Sequence, residues 1–82
     1  MAVNFEKLIL DLVKPLVVHP DDLLVKKFSE DEESITIQVL VNQEDLGRVI
    51  GKGGKIANAI RTIAYAAASR IGKKINIDID AF

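Results

Sequence analysis

The chain contains no cysteine and no tryptophan, and only one histidine, one tyrosine and two prolines among its 82 residues. Without cysteine there is no disulfide, no thiolate metal site and no thiol nucleophile. The lone His19 stands directly before Pro20 with nothing polar on its N-terminal side, which marks a loop residue and not a ligand or a catalytic base. Ser29, Ser34 and Ser69 have no evident base partner, and Asp78 and Asp80 fall on an alternating pattern that faces solvent. No enzyme, metal or cofactor is expected from such a set. No apolar run approaches the length of a membrane span, and Glu6 interrupts the N-terminal region, so the cytoplasm is the expected location. Residues 1–82 suffice for a single domain with one core, and 49% hydrophobic residues suffice to fold it without staples.

Net charge is also scarce, at −1 with a pI of about 5.7, which on its face argues against a nucleic-acid partner. The distribution reverses that impression. Arg48, Lys52, Lys55, Arg61, Arg70, Lys73 and Lys74 occupy one segment that holds no acidic residue, while the remaining sequence carries four basic and twelve acidic ones. Charge segregated in this way gives the molecule one electropositive side. In the middle of that segment lies Val49-Ile50-Gly51-Lys52-Gly53-Gly54-Lys55-Ile56, a glycine turn between two helical patterns. Glycine admits positive φ and close approach of another backbone, and a helix start offers unpaired amides at its positive dipole end. With Lys52 and Lys55 beside it, the turn suits a phosphate. Amides of Gly53, Gly54 and Lys55 are the expected donors.

Along the chain, Asn4 caps a first helix whose apolar stripe is Phe5, Leu8, Ile9, Leu12 and Val13, and Pro15 loosens or ends it. Leu23 to Phe28 reads as a strand, and Ser29 to Ser34 as a solvated acidic hairpin loop. That loop lacks the glycine a calcium loop needs. Ile35 to Val41 is the clearest strand, with Ile35, Ile37, Val39 and Val41 on one face. Asn42 caps a short helix, with Glu44 and Asp45 at its positive end and Leu46, Val49 and Ile50 as its apolar contacts. A long helix follows from about Lys55 to Arg70. Ile56, Ile60, Ile63, Ala67 and Ile71 form its expected core stripe, and Lys55, Asn58, Thr62, Tyr65 and Ser69 a polar one. Ala57, Ala64 and Ala68 around Arg61 form a third face on which a second subunit is expected, with Tyr65 at its border. Gly72 ends the helix. Ile75, Ile77 and Ile79 then alternate with Asn76, Asp78 and Asp80 in a last strand, and Phe82 is expected to pack on a sheet edge.

Two familiar phosphate loops do not fit. A Walker A loop needs Gly-x-x-x-x-Gly-Lys-Ser/Thr after a strand, whereas Gly47 to Lys52 has the wrong spacing, no hydroxyl and a helix in front. A dinucleotide fingerprint would place its third glycine at Ile56. Leu46-Gly47-Arg48-Val49-Ile50-Gly51-Lys52-Gly53-Gly54-Lys55-Ile56 instead closely resembles the core motif of KH domains, whose Gly-x-x-Gly loop clamps about four nucleotides of single-stranded RNA or DNA. The element order α-β-β-α-α-β is similar to that of type II KH domains over essentially the whole chain. In length the chain looks like the small stand-alone bacterial RNA-binding proteins of the KhpA family.

That resemblance implies an α+β fold of two layers, a three-stranded mixed sheet with all helices on one face. It implies a clamp made by Gly51, Lys52, Gly53 and Gly54, with Lys55 and Arg48 adjoining it. The groove between the clamp and the sheet would take the bases, and Arg70 to Lys74, including Lys73 and Lys74, would form the opposite wall. Read from the residues alone, Val49, Ile50 and Ile56 serve the core, with Ile50 and Ile56 open to a share of the groove floor. It also implies pairing with a second copy or with a larger KH-containing RNA-binding protein, and a part in cell division and envelope growth. Aliphatic groove walls lack stacking platforms, so weak, salt-sensitive binding with modest sequence preference is expected. The alternative is an interaction scaffold that keeps the fold and binds little RNA.

Overall fold

The computed structural model describes residues 4–82; the first three residues of the expected 1–82 domain lie outside the described residues. Helix α1 spans Phe5–Val13, β1 Leu24–Glu30, β2 Ser34–Val41, α2 Gln43–Ile50, α3 Lys55–Ser69 and β3 Lys74–Ala81. Strand β2 is central: β1 pairs with it antiparallel and β3 parallel. This is the two-layer α+β arrangement expected, a type II KH-like fold.

Local chemistry explains the boundaries. The Asn4 side chain accepts from Lys7 N at 3.1 Å and starts α1. Pro15 converts the end of that helix into a 3₁₀ turn over Lys14–Leu16. The Asn42 side chain accepts from Glu44 N at 2.9 Å and starts α2. At the far end of α3, Gly72 adopts φ 72°, its N–H donates to Ser69 O at 3.1 Å, and Lys73 N donates to Ala68 O at 3.0 Å. Those two bonds are the paired closures of a left-handed glycine stop.

One continuous core lies between helices and sheet. Phe5, Ile9 and Val13 of α1, Val49 of α2, and Ile60, Ala64 and Ala68 of α3 pack on Ile35, Ile37, Val39 and Val41 of β2 and on Ile75 and Ile77 of β3. The period-2 reading of β2 is therefore correct residue by residue. The opposite sheet face carries Thr36, Gln38, Asn76, Asp78 and Asp80, together with Leu40.

Three expectations change. Strand β1 runs two residues further than expected, so the acidic turn shrinks to Asp31–Glu33. There Asp31 Oδ1 accepts from Glu33 N at 2.7 Å and from Ser34 N at 2.8 Å, a side-chain-built turn that needs no glycine. Phe28 is the extra residue of a bulge between Lys27 and Ser29 and stands 73% exposed. Phe82 packs on the sheet edge only in part: it borders a hollow with Leu23 and Leu24 at the start of β1, its main chain is held, N to Val41 O and O by Gln43 Nε2, and the residue is 59% exposed.

The third change matters most for function. Ala57, Ile60, Ala64 and Ala68 form the buried stripe of α3, and Ile63 and Ile71 are each 46% exposed. The isoleucines of the sheet already fill the space under α3, so methyl side chains let the helix settle closely on it. The alanine face expected to meet a second subunit is thus spent on the protein's own core.

Candidate nucleic-acid interface

Helix α2 ends where Gly51 takes φ 76°, ψ 169°, a region essentially closed to residues with a Cβ. A Cβ there would also lie 2.7 Å from Ile56 Cγ1, so Ile56 is seated directly beneath the turn. Gly53 (φ 65°) and Gly54 (φ 77°) complete the reversal, and Gly54 is the first boundary residue of α3. No side chain caps α3 and no acidic residue lies in its first turn, which leaves its positive dipole end uncompensated.

The amides of the turn divide into two groups. Gly54 N donates to Gly51 O at 3.1 Å, and Lys55 N donates to Lys52 O. These two expected phosphate donors are consumed internally. Among the described residues no main-chain acceptor takes the amide of Lys52 or Gly53, and both residues are exposed. The donor pair available to an anion is therefore Lys52–Gly53, one residue earlier than the sequence suggested.

Around this pair, Lys52 and Lys55 are exposed, and no carboxylate among the described residues pairs with either. Arg48 is also exposed, but its Nε lies 3.8 Å from Asp45 Oδ1, so part of its charge is already answered. Ile50 and Ile56 are half-buried at the base of the turn.

Asp45 lies in the first turn of α2 as expected, but its burial and its partners were not legible in the sequence. It is fully buried, and its carboxylate accepts from Val18 N and His19 N at 2.9 Å each. Burial alone pushes its pKa up; the two amide donors, helped by His19 and Arg48, outweigh that and hold it below the usual value. Asp45 thus ties the linker after α1 to the helix that carries the turn.

From the turn, the exposed stripe Asn58, Thr62, Tyr65 and Ser69 runs along α3 at i, i+4, i+7 and i+11. It ends at a hollow of ≈ 450 Å³ lined by Tyr65, Ser69, Gly72, Lys73, Lys74 and Ile75. Arg61, half-buried beside this stripe, donates from Nη2 to Ile77 O at 3.2 Å and fastens α3 to the edge of β3. The expected wall of Lys73 and Lys74 is only half available. Lys73 Nζ is held by Glu30 Oε2 at 2.6 Å and its side chain is 20% exposed, whereas Lys74 is exposed.

Residues 6–79 match the family model described as KhpA/KhpB, KH domain. The chain belongs to the KhpA/KhpB KH-domain family. It is 51% identical over 74 residues to the RNA-binding protein KhpA of Listeria monocytogenes, covering 90% of this chain and 96% of that one. It is 42% identical over 76 residues to the RNA-binding protein KhpA of Bacillus subtilis, covering 93% of each. With the KhpA of Lactiplantibacillus plantarum it shares 40% identity over 77 residues, 94% of this chain and 89% of that one. No solved structure matches. All three relatives carry the name of an RNA-binding protein. Among the described residues no helix is long and apolar enough to cross a membrane.

Proposed function

We propose that this chain, as a single KH domain, binds single-stranded RNA by resting its backbone on the Gly51–Gly54 turn. One observation carries this most: two unaccepted amides, Lys52 N and Gly53 N, sit beside two unpaired lysines in a segment without a single acidic residue. The amides and the start of α3 offer fixed donors to one phosphate, and Lys52 and Lys55 add mobile charge to its neighbours. The naming of the KhpA relatives as RNA-binding proteins supports the choice of RNA over another anion. In the cell the protein would act in the cytoplasm as an RNA chaperone or post-transcriptional regulator. It would work with a second copy or with a larger KH-containing RNA-binding protein, in cell division and envelope growth. Pairing would raise affinity through effective concentration.

An NMR titration with short single-stranded RNA tests the clamp: the amides of residues 51–55 are expected to shift, and Lys52→Asp combined with Gly53→Asp to abolish the shift with an unchanged circular dichroism spectrum. Parent-like binding by the double variant would remove the assignment.

A second reading, a KH-fold interaction scaffold, is favoured by the apolar surface at Ile63, Ala66, Ala67 and the stem of Arg70, where Ile63 is 46% exposed. Under that reading the double variant would keep every protein contact of the parent.

A further inference from the structure

Building on the RNA-binding reading above, we propose that the hollow at the far end of α3 is a base-stacking subsite. In it the Tyr65 ring takes the face of one nucleobase from the strand whose backbone rests on the glycine turn.

Tyr65 is 49% exposed and is the sole aromatic residue lining the hollow, which it shares with Ser69, Gly72, Lys73, Lys74 and Ile75. Its volume of ≈ 450 Å³ lies in the range of small-molecule sites, about 300–1,000 Å³. Ile75 is buried and supplies an apolar floor, while Gly72, which has no side chain, keeps the rim open. Ser69 Oγ and the Lys74 ammonium are the polar groups at the edge, where a base presents its acceptors or the sugar its phosphate. No acidic residue is among those lining the hollow. Glu30, whose carboxylate reaches the hollow residue Lys73, is already bound by Lys27 at 2.7 Å and Lys73 at 2.6 Å.

Distance and direction agree with a single strand joining the two places. Tyr65 follows Gly54 by eleven positions along α3, so at 1.5 Å per residue the hollow lies about 16 Å from the turn. A run of about four nucleotides, the length a KH groove holds, covers such a span. Between them the path passes Asn58 and Thr62 on the same stripe, with Arg61 fastened to Ile77 O alongside. A strand lying there meets aliphatic and small polar groups first and a ring only at its end. Selectivity would then concentrate at one nucleotide position, with purines favoured for their larger stacking face.

The chain's single tyrosine makes the test direct, because its ring gives one set of NMR signals without assignment by mutation. The protein is titrated with oligoadenylates of two to eight nucleotides. Dinucleotides are expected to move the amides of residues 52–54 alone. Chains of about four or more are expected to move the Tyr65 ring signals upfield as well, with the same midpoint as the loop. Tyr65→Phe should keep affinity for the octamer within about twofold, and Tyr65→Ala should lower it about fivefold or more while leaving the dinucleotide response intact. Tyr65→Leu, which keeps an apolar side chain but no ring, should behave as Tyr65→Ala. If loop amides move and the ring does not, the subsite is overturned and the clamp stands. If neither moves, the RNA-binding reading falls with it. If the ring signals follow protein dilution and ignore RNA, the hollow is a contact between copies and the proposal is overturned.

Discussion

Three glycines in four residues look interchangeable in a sequence, and the structure sets Gly51 apart from the other two. Gly51 is locked twice, by a backbone region that excludes Cβ and by Ile56 beneath it. A Cβ added at Gly53 would meet nothing within 4 Å, so that position needs only a left-handed φ, which aspartate and asparagine tolerate. Gly51→Ala is therefore expected to cost about 1–3 kcal/mol in backbone strain alone, with the contact to Ile56 adding to it. Gly53→Asp should lose about 1–2 kcal/mol at most and keep the fold. Chemical denaturation of the two single variants checks this, and equal losses would mean that the turn is not held from below by Ile56. The need for a glycine turn was legible from residues 46–56 themselves. Which amides it leaves open was not, because that depends on Gly54 and Lys55 folding back onto Gly51 and Lys52 in a 3₁₀ turn. Asp45 shows the same limit: its partners lie 26 and 27 residues away, and no local pattern announces them.

At the scale of elements, regular alternation was readable and helix facing was less so. Strand β2 shows one face by a period of two, which admits a single answer. Helix α3 carries an isoleucine stripe and an alanine stripe, both at helical spacing, and periodicity cannot choose between them. The choice is made by the sheet, whose bulky residues leave room for Ile60 and otherwise for the methyl groups of Ala57, Ala64 and Ala68. It follows that Ala64→Arg tests the core and not a subunit contact. A charge placed at a fully buried site is expected to cost about 4 kcal/mol or more and to lower Tm by about 15 °C or more. A variant of parental Tm that merely changed sedimentation would return Ala64 to the surface.

The β1–β2 hairpin has an electrostatic counterpart. Glu30 is bound by the Lys27 and Lys73 ammonium groups, and these bring its pKa from 4.5 down to about 2. Lys27, for the same reason, is raised above its usual value. A carboxylate depressed in the folded state contributes stability above pH 4.5, and that contribution is lost as the pH falls from 4.5 towards about 2. Asp31 and Asp45, both also lowered, steepen the same decline. Glu30→Gln should be less stable than the parent at neutral pH, and the gap between them should close as the solution is acidified through that window. Tm measured from pH 7 to pH 2.5 decides it; a gap that stayed constant would show that the ion pairs add nothing.

For the molecule as a whole, the near-zero net charge conceals a dipolar layout in which the acidic residues lie outside residues 48–74. The structure trims the basic side further: Lys73 is neutralised by Glu30, Arg48 leans on Asp45, and Arg61 is tied to β3. Arg70 is exposed too, but it lines a separate hollow with Ile63, Ala66 and Ala67. That leaves Lys52 and Lys55 at the turn and Lys74 at the hollow beside Tyr65 as the cations facing an RNA strand. Counterion release then bounds the electrostatics. With about three phosphates neutralised, log Kobs against log salt should fall with a slope of about −2 for a single strand. Lys52→Ala should flatten it by about 0.7, and Lys73→Ala should leave it unchanged while lowering Tm. Fluorescence anisotropy with a labelled octanucleotide from 20 to 300 mM salt makes the measurement. A slope near −5 would mean that the paired cations release their carboxylates to meet RNA, and that binding reorganises the surface instead of using it as built.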